Sequence, residues 1–240
     1  MQITTQAIVL NAIKYGDSSL IVKCFTKKSG MKSYMLRGVL KSKKGKLKPA
    51  YFQPLNQLEL TASHNNKGNL NTLKDTRITY PYESLYQNYT KQAVTYFLAE
   101  LLNNCLQENE ENTALFIFLE TSLKWLDLHQ NSENFHLVFL IKITRYLGFY
   151  PEISGCEKNY FGLKEGRFLE NPPYTDFVSG KELILFKELL GTNFDSMDKV
   201  LLNVADRQKL LEVLMKYFEL HLSGFRRPRS IQVLKELFSQ

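Results

Sequence analysis

Hydrophobic and polar residues alternate through the first third of the chain and then change period. Ile8, Leu10 and Ala12 alternate with Val9, Asn11 and Ile13, and Leu20, Val22 and Cys24 with Ile21, Lys23 and Phe25. Leu58, Leu60 and Ala62 alternate with Gln57, Glu59 and Thr61, the pattern of a half-buried strand. Apolar-rich runs over residues 31–40 and 70–79 complete five predicted strands. Turn chemistry separates them at Tyr15-Gly16-Asp17, at Lys28-Ser29-Gly30, at Gly45 and over residues 64–68. Five strands in so short a stretch leave exposed edges unless the sheet closes on itself. A small barrel removes the edges, and the five-stranded oligonucleotide-binding (OB) barrel is the common solution.

At Pro81 the period lengthens to that of a helix. Leu85, Tyr89, Ala93, Phe97 and Leu101 predict one helix face, with Ser84 and Gln87 spaced as a capping box at its start. Residues 113–128 predict a second helix, with Leu115, Leu119, Leu123 and Leu126 on one side. Residues 133–147 predict a third, lined by Phe135, Phe139, Ile143 and Leu147 and stopped by Gly148 and Pro151. Residues 160–169 then read as a short hairpin, and Asn171-Pro172-Pro173-Tyr174 as irregular chain. Helical periodicity returns over 180–190, 206–222 and 231–238. The expected fold class is α+β. An N-terminal five-stranded OB-fold barrel spans 1–80, and an α-helical domain spans 81–148 and 181–240. A small irregular insertion at 149–180 interrupts that domain.

Composition narrows the class. Of 240 residues, 44% are hydrophobic and 23% charged, as in ordinary globular proteins. No apolar run approaches the ~18 residues of a membrane span, and the first residues lack the basic leader of a signal peptide. The expectation is a soluble, cytoplasmic protein. Three dispersed cysteines, Cys24, Cys105 and Cys156, do not make a disulfide framework. The net charge of +7 is unevenly distributed. Residues 1–80 carry 14 Lys and Arg against 3 Asp and Glu, residues 81–150 carry 4 against 8, and residues 151–240 carry 13 against 13. No acid occurs in residues 18–58. That asymmetry points to a polyanion, either nucleic acid or an anionic membrane surface, unless the face is simply solvated.

The densest basic run is Arg37-Gly-Val-Leu-Lys41-Ser-Lys43-Lys44-Gly-Lys46-Leu-Lys48, with Lys27, Lys28 and Lys32 just upstream. A row of cations with flexible stems suits a phosphate backbone of any local path. Single-strand binders also stack bases on rings, for which Tyr34, Tyr51 and Phe52 are the candidates, although Tyr51 and Phe52 read equally well as packing. Arg226-Arg227-Pro-Arg229 offers either an auxiliary phosphate contact, through Arg227 and Arg229, or cations that satisfy carbonyls at a helix end. Catalytic constellations are weak. His64, His129, His136 and His221 are scattered, and no nucleophile elbow, His-Glu-x-x-His or phosphate loop occurs. The chain therefore reads as a binding protein, with no catalytic residues and no cofactor expected.

In combination, several short motifs resemble the RecO family of bacterial recombination mediators. They are Ser29-Gly30 with Tyr34 and Arg37-Gly38, the basic 41–48 linker, Gln53-Pro54-Leu55 with Leu58-Glu59-Leu60, and Gly68-Asn-Leu70-Asn-Thr-Leu73. Further along, Tyr146-Leu-Gly-Phe-Tyr-Pro151 with Cys156, and His221-Leu222 with Arg229-Ser230, resemble the family's zinc-segment entry and C-terminal helix junction. Many members carry two Cys-x-x-Cys pairs in that segment. Here Asn159 stands where the second ligand would be, so a zinc-less insertion is expected, held by packing of Phe161, Phe168 and Tyr174. The resemblance implies a non-enzymatic protein of DNA repair and recombination, associated with the nucleoid. Such a protein binds single- and double-stranded DNA, anneals strands and acts with RecR. It helps load RecA onto DNA coated by the single-stranded DNA-binding protein. The acidic tail of that last partner would dock on the helical domain, where Lys142 and Arg145 near Phe139 and Tyr146 are either the docking cations or ordinary surface charge. A sequence-independent RNA-binding OB-fold protein is the alternative reading.

Overall fold

A computed structural model describes residues 2–42, 46–64, 70–106, 111–130 and 132–238. The expected contacts Lys43 and Lys44, with the turn residues Gly45 and Gly68, lie outside the described residues. The chain divides into two compact units, residues 1–128 and 129–240.

Five strands build the first unit: β1 (Gln2–Tyr15), β2 (Ser19–Thr26), β3 (Gly30–Leu36), β4 (Gln57–Ser63) and β5 (Leu70–Tyr80). They form a closed barrel in the order β1-β2-β3-β5-β4, with β3 and β5 parallel and the remaining pairs antiparallel. Strand β1 closes it by pairing with β4 through residues 2–8 and with β2 through residues 7–15. A register shift between Val9 and Asn11 bends it where it passes from one neighbour to the other. Inward side chains alternate as expected: Val9, Val22, Cys24, Tyr34, Leu36, Leu58, Leu60 and Leu73 share one core. The segment before β4 plugs this core. Leu47 and Tyr51 pack against it, and Phe52 is buried in it. Leu55 adopts a left-handed backbone (φ 64°), and its amide donates to Val9 O at 2.7 Å. Complete burial of the Leu55 side chain offsets a strain of about 1–2 kcal/mol.

Helices α1 (Tyr89–Cys105) and α2 (Thr113–Leu128) belong to the same unit. Phe116 of α2 meets Phe25 of β2 with ring centroids 6.1 Å apart. The expected capping box is corrected here. Helix α1 begins five residues after Ser84, and Asn88 is its cap, accepting from the Lys91 amide at 3.1 Å. Ser84 serves another purpose. The Asp127 carboxylate accepts from the backbone amides of Glu83, Ser84 and Leu85 at 2.8–3.1 Å. Lys91 Nζ donates to Ser84 Oγ (2.6 Å) and to Asp127 O (2.9 Å). One carboxylate at the end of α2 thus ties the barrel exit to that helix.

The second unit surrounds α3 (Phe135–Ile143), eight of whose nine residues are buried. Helix α3 stops four residues earlier than the periodicity suggests, and turns carry the chain on to Gly148 (φ 84°). Helices α4 (Gly180–Leu190), α5 (Val204–His221) and α6 (Ile231–Leu237) complete the helical part. The insertion forms a three-stranded sheet, β7-β6-β8, from β6 (Tyr160–Gly162), β7 (Arg167–Leu169) and β8 (Phe177–Ser179). Strand β8 was not legible, because it is defined by its pairing with the distant β6 and not by a turn or pattern of its own. The insertion's core is aromatic: Phe161 packs on Phe168 (5.0 Å), Phe186 (4.8 Å) and Tyr217 (6.1 Å). His221 joins it, stacked on Phe149 at 5.4 Å with Nε2 2.8 Å from Leu163 O. The expected part for Tyr174 is corrected, since its side chain is fully exposed and α4 and α5 supply the rings instead.

Burial pushes the Asp127 carboxyl up, but the three amides outweigh it and hold the group below its ordinary value. A carboxyl depressed in the folded state stabilises the fold above the usual carboxylate range and loses that contribution as pH falls through and below it. Asp127→Ala is expected to lower unfolding free energy by about 2–4 kcal/mol in denaturant titrations at neutral pH, by orphaning the three amides that its carboxylate accepts from. Asp127→Asn should flatten the acid limb of the stability profile relative to the parent. Unchanged midpoints in both chains would contradict this assignment.

Candidate nucleic-acid interface

The first unit presents its cations along the β1–β2–β3 ribbon. Lys27 and Lys28 form the β2–β3 turn, at the opposite end of β3 from Arg37. Seven residues of strand separate them by roughly 20 Å. Lys27 Nζ donates to Gln6 Oε1 and Lys28 Nζ to Thr4 O, both at 3.1 Å, so neutral acceptors position these amines and leave their charge intact. Lys32 pairs with Cys24, and Lys23 with Ser33 and Asn11, between the two ends. Burial lowers the Lys23 amine from its ordinary value. Beyond β3, Arg37 and Lys41 are exposed. Lys46 and Lys48 are exposed on either side of Leu47, which is pinned to the barrel core. The ion pairs Arg77–Glu59 and Lys124–Glu120 of this unit involve none of these cations. Asp17 is the only acid in residues 1–58, against 11 Lys and Arg.

The candidate rings differ in their surroundings. Tyr34 is fully buried, with its hydroxyl 3.1 Å from His64 Nε2, so it is a core residue and not a base-stacking platform. Tyr51 is half-buried and packs against the barrel core. Two lysines, Lys14 and Lys23, were overlooked because they stand singly within strand patterns. The acid-free stretch from residue 18 onward already held the signal for Lys23.

In the second unit Arg227 is committed elsewhere. Its guanidinium donates to Glu219 and Glu212 at 2.6 Å each, and Glu212 also pairs with Lys235. The Glu219 and Glu212 hydrogen bonds raise the Arg227 pKa despite some burial. Its proposed phosphate contact is therefore corrected to an intramolecular one, whereas Arg229 is exposed on the following turn. Phe139 is completely buried and provides no slot. Lys142 donates to Asn193 Oδ1 at 2.7 Å, and Arg145 lies 4.2 Å from the Tyr150 ring centre. His136 is a packed residue, fully buried and stacked on Phe238 at 5.1 Å. Burial, reinforced by Arg207, pushes its ring down to about 3, so it stays neutral. Among the described residues no three His, Cys, Asp or Glu side chains gather as metal ligands would.

A closed five-stranded barrel with an almost acid-free cationic ribbon, followed by helices, defines an OB-type barrel protein. Comparison with known proteins specifies it. Residues 1–82 match the family model for the recombination protein O N-terminal domain and residues 86–230 that for its C-terminal domain. The chain is 46% identical to the DNA repair protein RecO of Flavobacterium psychrophilum over 239 residues, covering all of both proteins. It is 44% identical to RecO of Christiangramia forsetii over 99% of this chain and all of that one. Against RecO of Bacteroides fragilis it is 34% identical over 98% of each. The chain belongs to the RecO family of DNA repair proteins.

Arg227→Ala should leave oligonucleotide affinity unchanged while lowering unfolding free energy by up to about 1 kcal/mol, the scale of an exposed ion pair. A loss of DNA binding in this variant, measured by anisotropy, would restore Arg227 to the interface.

Proposed function

We propose that this chain is a recombination mediator that works by binding alone. It binds single- and double-stranded DNA without reading sequence, anneals complementary strands and, with RecR, promotes loading of RecA onto DNA coated by the single-stranded DNA-binding protein. The observation that carries this reading is the charge of the barrel's first three strands and the loop after them: 11 cations, a single acid, and amines positioned by neutral acceptors. Annealing brings two phosphate backbones together against their repulsion. A cationic face neutralises both, and the release of their counterions drives association. Contacts to backbone rather than to base edges suit a protein that must act at any gap. Lys27, Lys28, Lys32, Arg37, Lys41, Lys46 and Lys48 form the proposed interface, with Arg229 as an outlying contact. The acidic tail of the single-stranded DNA-binding protein docks on the helical unit beside the Arg145–Tyr150 pair. Assembly on the nucleoid in the cytoplasm follows from the same partners, and no described helix is long and apolar enough to cross a membrane.

Two complementary labelled oligonucleotides mixed with the protein, with and without the single-stranded DNA-binding protein and with no nucleotide added, should anneal faster than alone. The single-strand binding constant should fall with a log–log salt slope of about −4, if about six phosphates are neutralised. Reversing Arg37, Lys41 and Lys46 together to Glu should weaken binding at least about a hundred-fold in a chain that still folds. A flat salt dependence, or a folded triple variant that binds normally, would remove the electrostatic basis. Tight binding without annealing, with RNA preferred, would favour an RNA-binding barrel instead.

A further inference from the structure

The outward face of the β1–β2–β3 ribbon carries apolar side chains at the end where β1 turns into β2. Ala12, Leu20, Val22 and Leu36 pack on the barrel core, so alternation sends Ile13, Tyr15, Ile21 and Met35 to the opposite face. Register sets Ile13 beside Ile21 and Ile21 beside Met35, one apolar row across three strands. Tyr15 closes β1 beside Ser19, at the hairpin tip. Gly16 follows it with the positive φ (58°) that the turn demands. Tyr15 is 58% exposed and Ile13 50%.

Two hydrogen bonds join this tip to the basic segment after β3. Leu40 N donates to Ser18 O at 2.9 Å, and Gly38 N donates to Ser19 Oγ at 3.3 Å. Tyr15 therefore shares one end of the barrel with Arg37, Lys41 and the exposed Leu40, and has Lys14 as its chain neighbour. Asp17 is the only acid in the turn. A ring left this exposed does little for the fold. Its cationic surroundings select an anionic ligand that also offers flat apolar faces. Single-stranded nucleic acid has both, phosphates for the cations and bases for the ring. A duplex keeps its base faces stacked on one another and offers only its backbone.

We propose that Tyr15 is the base-stacking residue of the barrel, flanked by Ile13 and Leu40, and that it gives the interface its preference for single strands over duplex. The inference rests on the reading of this chain as a DNA-binding protein. Three probes separate the two: an oligothymidylate, an abasic strand of the same length and a duplex of the same length, each titrated by anisotropy against the full chain. Tyr15→Ala should weaken oligothymidylate binding roughly ten-fold or more, the range of one base–aromatic stack. Binding of the abasic strand and the duplex should not move, and Tyr15→Phe should bind all three as the parent does. Exposure of the side chain keeps both variants folded, which circular dichroism checks. Unchanged oligothymidylate affinity in Tyr15→Ala would overturn the stacking role while leaving the DNA-binding reading intact. So would an equal loss on all three probes. A parent chain that binds none of them would overturn both.

Discussion

Closure of the barrel through a single long strand is the constraint on which the first unit depends. Strand β1 spends its first half on β4 and its second on β2, with residues 7 and 8 shared between them. Strands β2 and β4 each find their second neighbour only because β1 does so in sequence. The overlap sets the register of all five strands, and with it which residues line the core and which face out. It also makes β1 longer than the core requires. Its surplus length projects as the hairpin tip, where Ser18 and Ser19, just past Tyr15, bond the segment beginning at Arg37. Geometry imposed by closure thus gathers Tyr15 with Arg37 and Lys41, more than twenty positions further along the sequence.

Charge follows from the same architecture. A small barrel has no interior room for ionised groups, so its cations sit at strand ends, in turns and on outward positions. Here the turns hold Lys27 and Lys28 through neutral oxygens of β1, and Leu47 anchors the linker between two exposed lysines. Among the described residues, the ion pairs of this unit, Arg77–Glu59 and Lys124–Glu120, leave those four lysines out. The second unit does the opposite with Arg227, Lys181 and Lys209, which are held by carboxylates. The contrast separates a surface prepared for an external anion from one whose charges serve internal cohesion.

The barrel, both helices of the first unit and the hairpin of the insertion were legible because each rests on local periodicity. Residues 113–128 form a helix with the bounds their leucines imply. What escaped was non-local. Ser84 has the spacing of a cap, yet its hydroxyl meets Asp127, forty-three positions away. Strand β8 exists only through pairing with β6. Within the candidate site the cationic segment was visible as composition, but ring placement was not. Tyr34 and Tyr15 both lie in strands of mixed character, and only the register, with the bulge near Val9, tells which points into the core. Arg227 looked available for the same reason, since its partners Glu212 and Glu219 are on the preceding helix and the pattern does not reveal how the chain folds back on them.

The central claim is that DNA lies on the β1–β2–β3 ribbon and the basic segment after it. Hydrogen–deuterium exchange of the full chain, with and without saturating oligothymidylate, tests that claim directly. The account predicts slowed exchange in peptides covering residues 11–48, with peptides of the buried helix α3 unchanged. Protection confined to the helical unit, with the ribbon exchanging as in the free protein, would contradict it.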